Sequence, residues 1–285
     1  MKNLILRSMT GALFVVVLVS CIVWHHVAFA LLFALITGLT LWEFANNVNS
    51  YAGASVNRLI NAVGGMYLFA AFYYYFSGYV TGVQESRVFI PYLITLIYLP
   101  VSELYLRKKN PLKNWAYAFA SQMYIALPFA LLNVLAFQYD AYADRVEYVA
   151  IVPLSVFLFL WTSDTGAYCV GSLLHKYFPA KLFERISPNK SWVGSIGGGL
   201  LCLVVATLLW RVYGRLNWLQ WCGFGIVVCV FGTWGDLVES LFKRQLGIKD
   251  SGHLLPGHGG LLDRFDSSLL AIPAVVLYLY TITVF

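Results

Sequence analysis

Charge is what this sequence most lacks. Only 11% of its 285 residues are Asp, Glu, Lys or Arg, against about 25% in an ordinary soluble domain. The shortfall runs from end to end, which argues against a soluble enzyme and against one anchor carrying an aqueous domain. Metal-binding cysteine patterns are missing too. Cys21, Cys169, Cys202, Cys222 and Cys229 form no CxxC pair and mostly lie inside apolar runs. They read as small buried hydrophobes, with neither a disulfide framework nor a thiolate zinc site. There is no HExxH motif, no lysine-bearing P-loop and no dinucleotide fingerprint, so any nucleotide is held in another way. Internal repeats and low-complexity linkers are also lacking. The opening MKNLILRSMTGALFVVVLVS has no convincing small-residue cleavage site and leads into further apolar runs, so it is expected to remain as a first helix.

What is present is apolar sequence in span-length runs. Crossing the hydrocarbon takes about 20 residues of helix. The runs predict an all-α, polytopic integral membrane protein of about nine transmembrane helices, near 8–24, 27–43, 59–80, 88–105, 115–136, 147–167, 192–210, 217–238 and 266–284. Pro91, Pro100 and Pro128 fall inside these runs and are expected to bend them. With the N-terminus placed in the cytoplasm, only Arg87, Arg145, Arg211 and Arg215 of the 19 Lys and Arg residues fall outside. That is a strong positive-inside bias. The net charge of +6 then suits anionic lipid and a phosphate-bearing substrate, with no nucleic-acid partner. By composition the chain divides into N-terminal transmembrane helices, 1–150 (helices 1–5), and a region at 151–285 that holds nearly every polar cluster. Its cytoplasmic loops are expected at 169–191 and 242–263.

Carboxylates at the ends of apolar runs need a partner, an ion or an aqueous cavity. Asp164 follows VFLFLWTS, and Asp236 follows GIVVCVFGTWG. Asp236, Glu239, Ser240 and Lys243 share one helical face, and Asp263 and Asp266 open the last span. Gathered at one depth, such carboxylates suit Mg²⁺, which takes oxygen ligands and often binds through one or two carboxylates plus substrate phosphates. Pairing with nearby cations is the alternative. The turn PGHGG, 256–260, sets glycines around His258. Backbone N–H groups of such a turn can cradle an anion, or the turn can be only a turn. With Lys243, Arg244, Lys249 and Arg264 around it, the stretch reads as a site for a highly phosphorylated ligand. A second polar loop holds KLFERISPNKSWVGSIGG. There Ser187 and Pro188 mark a turn, and Ser191 is placed to cap the next helix. Lys190, at a helix N-terminus, is better explained by a bound anion than by the helix dipole. The glycines at 194 and 197–199 serve close helix packing or a ligand.

These motifs, in order, resemble the signature of the phosphatidate cytidylyltransferases, or CDP-diglyceride synthetases. The matching pieces are SLFKR at 240–244, KDSG at 249–252 and HGGLLDRFD at 258–266, with SDTGAY at 163–168, ISPNKSWVG at 186–194 and GDLVES at 235–240. The strong resemblance covers roughly 161–267. It implies transfer of CMP from CTP to phosphatidic acid, giving CDP-diacylglycerol and pyrophosphate in phospholipid biosynthesis. It also implies Mg²⁺, an associated K⁺ and a homodimer, and the short, compact chain looks bacterial and is expected in a cytoplasmic (inner) membrane. By the resemblance Asp236 and Asp263 belong to the metal and catalytic centre. Lys243, Arg244, Lys249 and Arg264 are expected on phosphates. His258 is expected to act as a donor, with Gly259 and Gly260 wrapping the triphosphate, and Ser187 and Lys190 to line the same cavity. Val193 stands where the family usually has glutamate, Asn189 where lysine is common, and Ser191 where threonine is common. Rival classes are another CTP-using lipid enzyme or lipid kinase, an ion path through the intramembrane carboxylates, and a membrane scaffold.

Overall fold

The structure is a computed structural model and describes residues 2–78, 85–140, 143–252, 254 and 259–282. His258 lies outside the described residues. The elements in chain order are α1 (Lys2–Trp24), α2 (His26–Tyr51), α3 (Arg58–Ser77), α4 (Ile90–Leu106), α5 (Pro111–Ser121), α6 (Leu127–Ala136), the hairpin β1 (Phe137–Asp140) and β2 (Arg145–Tyr148), α7 (Ile151–Leu174), the hairpin β3 (Lys181–Phe183) and β4 (Ser187–Ser191), α8 (Trp192–Val212), α9 (Trp218–Leu246) and α10 (Leu262–Ile282). A π-helical turn, Gln122–Ala126, joins α5 to α6. The protein is therefore an all-α polytopic membrane protein; among the described residues each expected span overlaps helix, with 115–136 shared by α5, the π-helical turn and α6, and 147–167 entered from β2. Among the described residues seven helical stretches are long and apolar enough to cross a membrane, while Ser8–Trp24 is a shorter apolar helix. α7 carries the polar run Thr162–Thr165 within it.

Two connections differ from expectation. α7 runs on to Leu174 and α9 to Leu246, so the polar segments begin at His175 and Gly247. Ser187 and Pro188 lie in a strand and do not make the turn; the bend falls before them. A two-stranded ribbon leaves each strand an unpaired edge, where proline's missing N–H costs nothing.

Two compact units make up the chain, Met1–Ala150 with Gln245–Phe265, and Ile151–Arg244 with Asp266–Phe285. In the first, Phe33, Phe129 and Phe265 form an aromatic cluster, with Phe129 and Phe265 centroids 5.3 Å apart. Buried Asn61 is satisfied there by Ser121 and Gln122, at 2.9 Å from Ser121 Oγ. An unpartnered amide in an apolar surround would be costly.

In the second unit, glycines bring helices into backbone contact. A Cβ on Gly198 would lie 2.7 Å from the Ser163 carbonyl oxygen, and one on Gly194 would lie 2.9 Å from that of Ala167. A Cβ on Gly197 would overlap Val170. These three glycines of α8 are thus spent on α7. Gly199 differs, since its Cβ would meet Ile226 and Cys229 at ordinary contact distance, 3.8 and 3.9 Å. Gly198→Ala is expected to destabilise the protein by about 1–3 kcal/mol through overpacking against immovable backbone. Gly199→Ala is expected to be neutral. Thermal unfolding of both variants in one detergent checks the contrast.

Candidate active site

The second unit contains a cavity of about 640 Å³ built from α7, the β3–β4 hairpin, α8 and α9. Its polar lining includes Asp164, His175, Lys181, Ser187 and Lys190. Each wall has a local cause. Ser191 caps α8 as expected, its Oγ accepting the Gly194 N–H at 3.2 Å. That cap ends β4 and starts the helix at one point, which fixes Lys190 beside the helix N-terminus. On α7 Thr165, next to Asp164, satisfies its own hydroxyl on the Trp161 carbonyl at 2.7 Å.

Lys190 is held by protein. Its Nζ lies 2.6 Å from Asp236 Oδ2 and donates to the Thr233 carbonyl at 3.3 Å. Lys190, expected beside a bound anion, is paired here with the carboxylate of Asp236. Asp236 also accepts from Ser240 Oγ at 3.2 Å. Its backbone position is set by Gly235, where a Cβ would meet the Asp266 carbonyl at 2.6 Å and Ser267 Cα at 2.9 Å. α9 and α10 therefore touch backbone to backbone beside this carboxylate. Asp266 Oδ1 accepts the Ser267 N–H at 2.5 Å.

Asp164, costly at the end of an apolar run, has no role among the sequence motifs. It is exposed to the cavity and makes no hydrogen bond or ion pair among the described residues. The face Asp236–Glu239–Ser240–Lys243 turns out to be partly self-satisfied. Lys243 Nζ pairs with Glu239 at 2.6 Å, and the Glu239 side chain is fully buried. Arg244, Lys249 and Arg264 are exposed and form no ion pair among the described residues.

Gly259, Gly260 and Asp263 belong to the first unit. Gly259 has φ +82°, a conformation that favours glycine, and its Cβ would lie 2.5 Å from Asp263 Oδ2. Asp263 Oδ2 accepts the N–H groups of Gly260 at 2.8 Å and Ser251 at 2.9 Å. The Ser251 hydroxyl also lies 2.9 Å from that oxygen. Asp263 thus ties the first turn of α10 to the stretch entering it. Glu43 of α2, absent from the sequence-based site, reaches the same turn and accepts the Leu261 N–H at 2.9 Å.

Adjoining the cavity is an apolar groove of about 400 Å³ between α8 and α9, lined by Ile196, Gly199, Leu200, Ile226 and Val230 among others. Cavity and groove share Ser195 and Thr233.

A polytopic membrane fold with a cavity lined by Asp164, Lys181 and Lys190 beside an apolar groove is of the class that can take an amphipathic, charged-headed ligand. The comparisons give the family. A family model described as the Cytidylyltransferase family matches residues 5–282. A protein of Staphylococcus aureus named phosphatidate cytidylyltransferase is 34% identical over 249 residues, covering 83% of this chain and 88% of that one. A protein of the same name from Staphylococcus saprophyticus is 31% identical over 278 residues, covering 97% and 99%. The chain belongs to the cytidylyltransferase family. The similarity extends over the N-terminal helices, well beyond the stretch from 161 to 267 that carries the recognisable motifs.

Proposed function

We propose that this protein transfers CMP from CTP to phosphatidate, releasing CDP-diacylglycerol and pyrophosphate, in phospholipid biosynthesis. The observation that carries the reading is the junction of polar cavity and apolar groove at Ser195 and Thr233. A lipid phosphate needs both environments at once: a wet, charged place for the head and a lipid-like place for the chain. Few other substrates do.

The chemistry asks little of a general base. A phosphatidate oxygen, already ionised, bonds to the α-phosphorus of CTP while the bond from that phosphorus to the bridging oxygen breaks, and pyrophosphate leaves. Positioning and charge neutralisation do the work. Lys190 and Lys181 line the cavity and supply positive charge to it. Asp236 holds the Lys190 ammonium in place, and Ser187 offers a hydroxyl on the same wall. We assign Arg244, Lys249, Arg264, His258 and the backbone at Gly259 and Gly260 to the phosphates of CTP, on their charge and their place in the motif.

Mg²⁺ is the cation this chemistry and the resemblance imply, and the donor set fits it. The candidates are hard carboxylate oxygens, and Asp164 lines the cavity with no hydrogen bond or ion pair among the described residues. No group of three or more His, Cys, Asp or Glu is assembled among the described residues. Mg²⁺ needs only one or two carboxylates, completing its shell with water and substrate phosphate. We assign Asp236 and Asp263 to it; when bound it neutralises the triphosphate and the leaving oxygens. K⁺ is assigned to the polar residues at 233–240 and Asp263. The nine-span topology with a cytoplasmic N-terminus, the cytoplasmic membrane and the homodimer complete the proposal: the spans rest on the apolar runs, the N-terminal side on the positive-inside bias, the membrane on the short, compact, bacterial-looking chain and the homodimer on the resemblance.

Purified protein supplied with labelled CTP and a panel of lipid phosphates tests the substrate class. Phosphatidate-dependent pyrophosphate release is expected, and release only with a polyprenyl phosphate would overturn it. The groove gives a sharper prediction. Gly199→Leu fills it without touching the cavity, so KM for long-chain phosphatidate should rise about tenfold, near the loss of one or two buried methylenes. A short-chain substrate and CTP should keep their KM. Equal effects on both lipids would remove the groove from the reaction.

A further inference from the structure

α2 is apolar along most of its length, yet Glu43 interrupts it between Trp42 and Phe44. A carboxylate in such a helix is costly unless partnered. Among the described residues no Lys, Arg or His pairs with it. Its partners are instead the N–H groups of Leu261, at 2.9 Å from Oε2, and of Leu262, at 3.1 Å from Oε1. These N–H groups lie at the start of α10, where donors lack an intrahelical acceptor and negative charge is favoured. The Ser251 hydroxyl is a third contact, lying between Glu43 Oε1 and Asp263 Oδ2. Its single proton serves one carboxylate at a time. One turn further along α2, buried Asn47 donates to the Ser251 carbonyl at 2.7 Å.

Two glycines owe their identity to the same side chain. A Cβ on Gly252 would lie 2.6 Å from Glu43 Oε2, and one on Gly260 would overlap Oε1. Glycine at 260 is thus demanded from the protein side, before any ligand is considered.

We propose that Glu43 is a positioning residue for the reaction: its carboxylate clamps the backbone at Leu261 and Leu262 and, through Ser251, fixes the carboxylate of Asp263. The inference rests on the assignment of Asp263 to the reaction centre. Glu43 touches no reacting atom in this scheme. Glutamine is the informative replacement, because its amide nitrogen would face backbone donors in place of an acceptor.

The test uses the full-length protein in lipid nanodiscs. Glu43→Gln should lower kcat roughly 10- to 100-fold, as loss of an orienting contact does. KM for CTP and phosphatidate should stay within about threefold of wild type, a small change on that scale. Without substrate or metal, amide exchange at 251, 252 and 259–262 should speed up while α7 and α8 exchange as before. The two-residue readout is stronger. Gly260→Ala should be severely impaired, and adding Glu43→Asp, which withdraws the carboxylate, should restore at least about tenfold of the lost rate, a clear coupling between contacting residues. If the two substitutions multiply independently, or exchange quickens with turnover intact, the positioning role is wrong. Normal turnover in Asp263→Asn would instead refute the assignment on which it rests, and the exchange data would still report on the clamp.

Discussion

Replacing Asp236 by asparagine should lower CDP-diacylglycerol formation on the order of 10³-fold, about 4 kcal/mol of lost transition-state stabilisation. The substitution preserves shape. The amide oxygen can still accept from Ser240, and the close approach of Gly235 to Asp266 and Ser267 is untouched. What disappears is the negative charge opposite Lys190 and the oxygen assigned to the cation. Asp263→Asn should cost a similar factor. Its amide oxygen can keep the donors that now converge on Oδ2, from Gly260 and Ser251. Wild-type thermal stability with lost turnover is therefore expected for both. Near-normal turnover in both would remove the metal assignment.

Lys190→Gln carries the next largest effect. The ammonium sits 2.6 Å from Asp236, with 23% and 33% of the two side chains exposed. Removing it leaves the partly buried Asp236 carboxylate without its counter-charge and takes one of the two lysines from a cavity that Asp164 also lines, so negative charge goes uncompensated there. A loss of roughly 10- to 100-fold in kcat/KM is expected, or about 1.4–2.7 kcal/mol. The pair should also behave as a unit. Lys190→Gln combined with Asp236→Asn should be little worse than Asp236→Asn alone, since contacting residues are not additive. Steady-state rates of the three variants decide this, and fully multiplicative losses would mean that Lys190 acts apart from Asp236.

The helices were legible because hydropathy in span-length runs records the solvent directly, and backbone in lipid has few alternatives to helix. The Ser191 cap was legible because capping is local chemistry. The β3–β4 hairpin was not, since strands this short and polar carry no period to read. The glycines of α8 had two readings, and only the approach of Ser163, Ala167 and Val170 decides for packing at 194, 197 and 198. Lys190 suggested an anion, but its partner stands 46 positions away, and nothing in SPNKS names Asp236. Glu43 was missed outright. Its contacts with Ser251 and Leu262 span 208 and 219 positions. A signal was present all the same: a lone carboxylate inside an apolar helix, the same cue that drew attention to Asp164 and Asp236. It lacked a neighbouring motif, so its purpose emerged only with its partners.

The measurement that bears most directly on the central claim follows phosphorus from CTP into lipid. Purified protein in phosphatidate-containing nanodiscs would be given Mg²⁺ and CTP labelled at either the α- or the γ-phosphorus. The account predicts α-label in the lipid product, γ-label in pyrophosphate, and one pyrophosphate per lipid modified. Appearance of γ-label in the lipid with release of CDP would make the protein a kinase and contradict it.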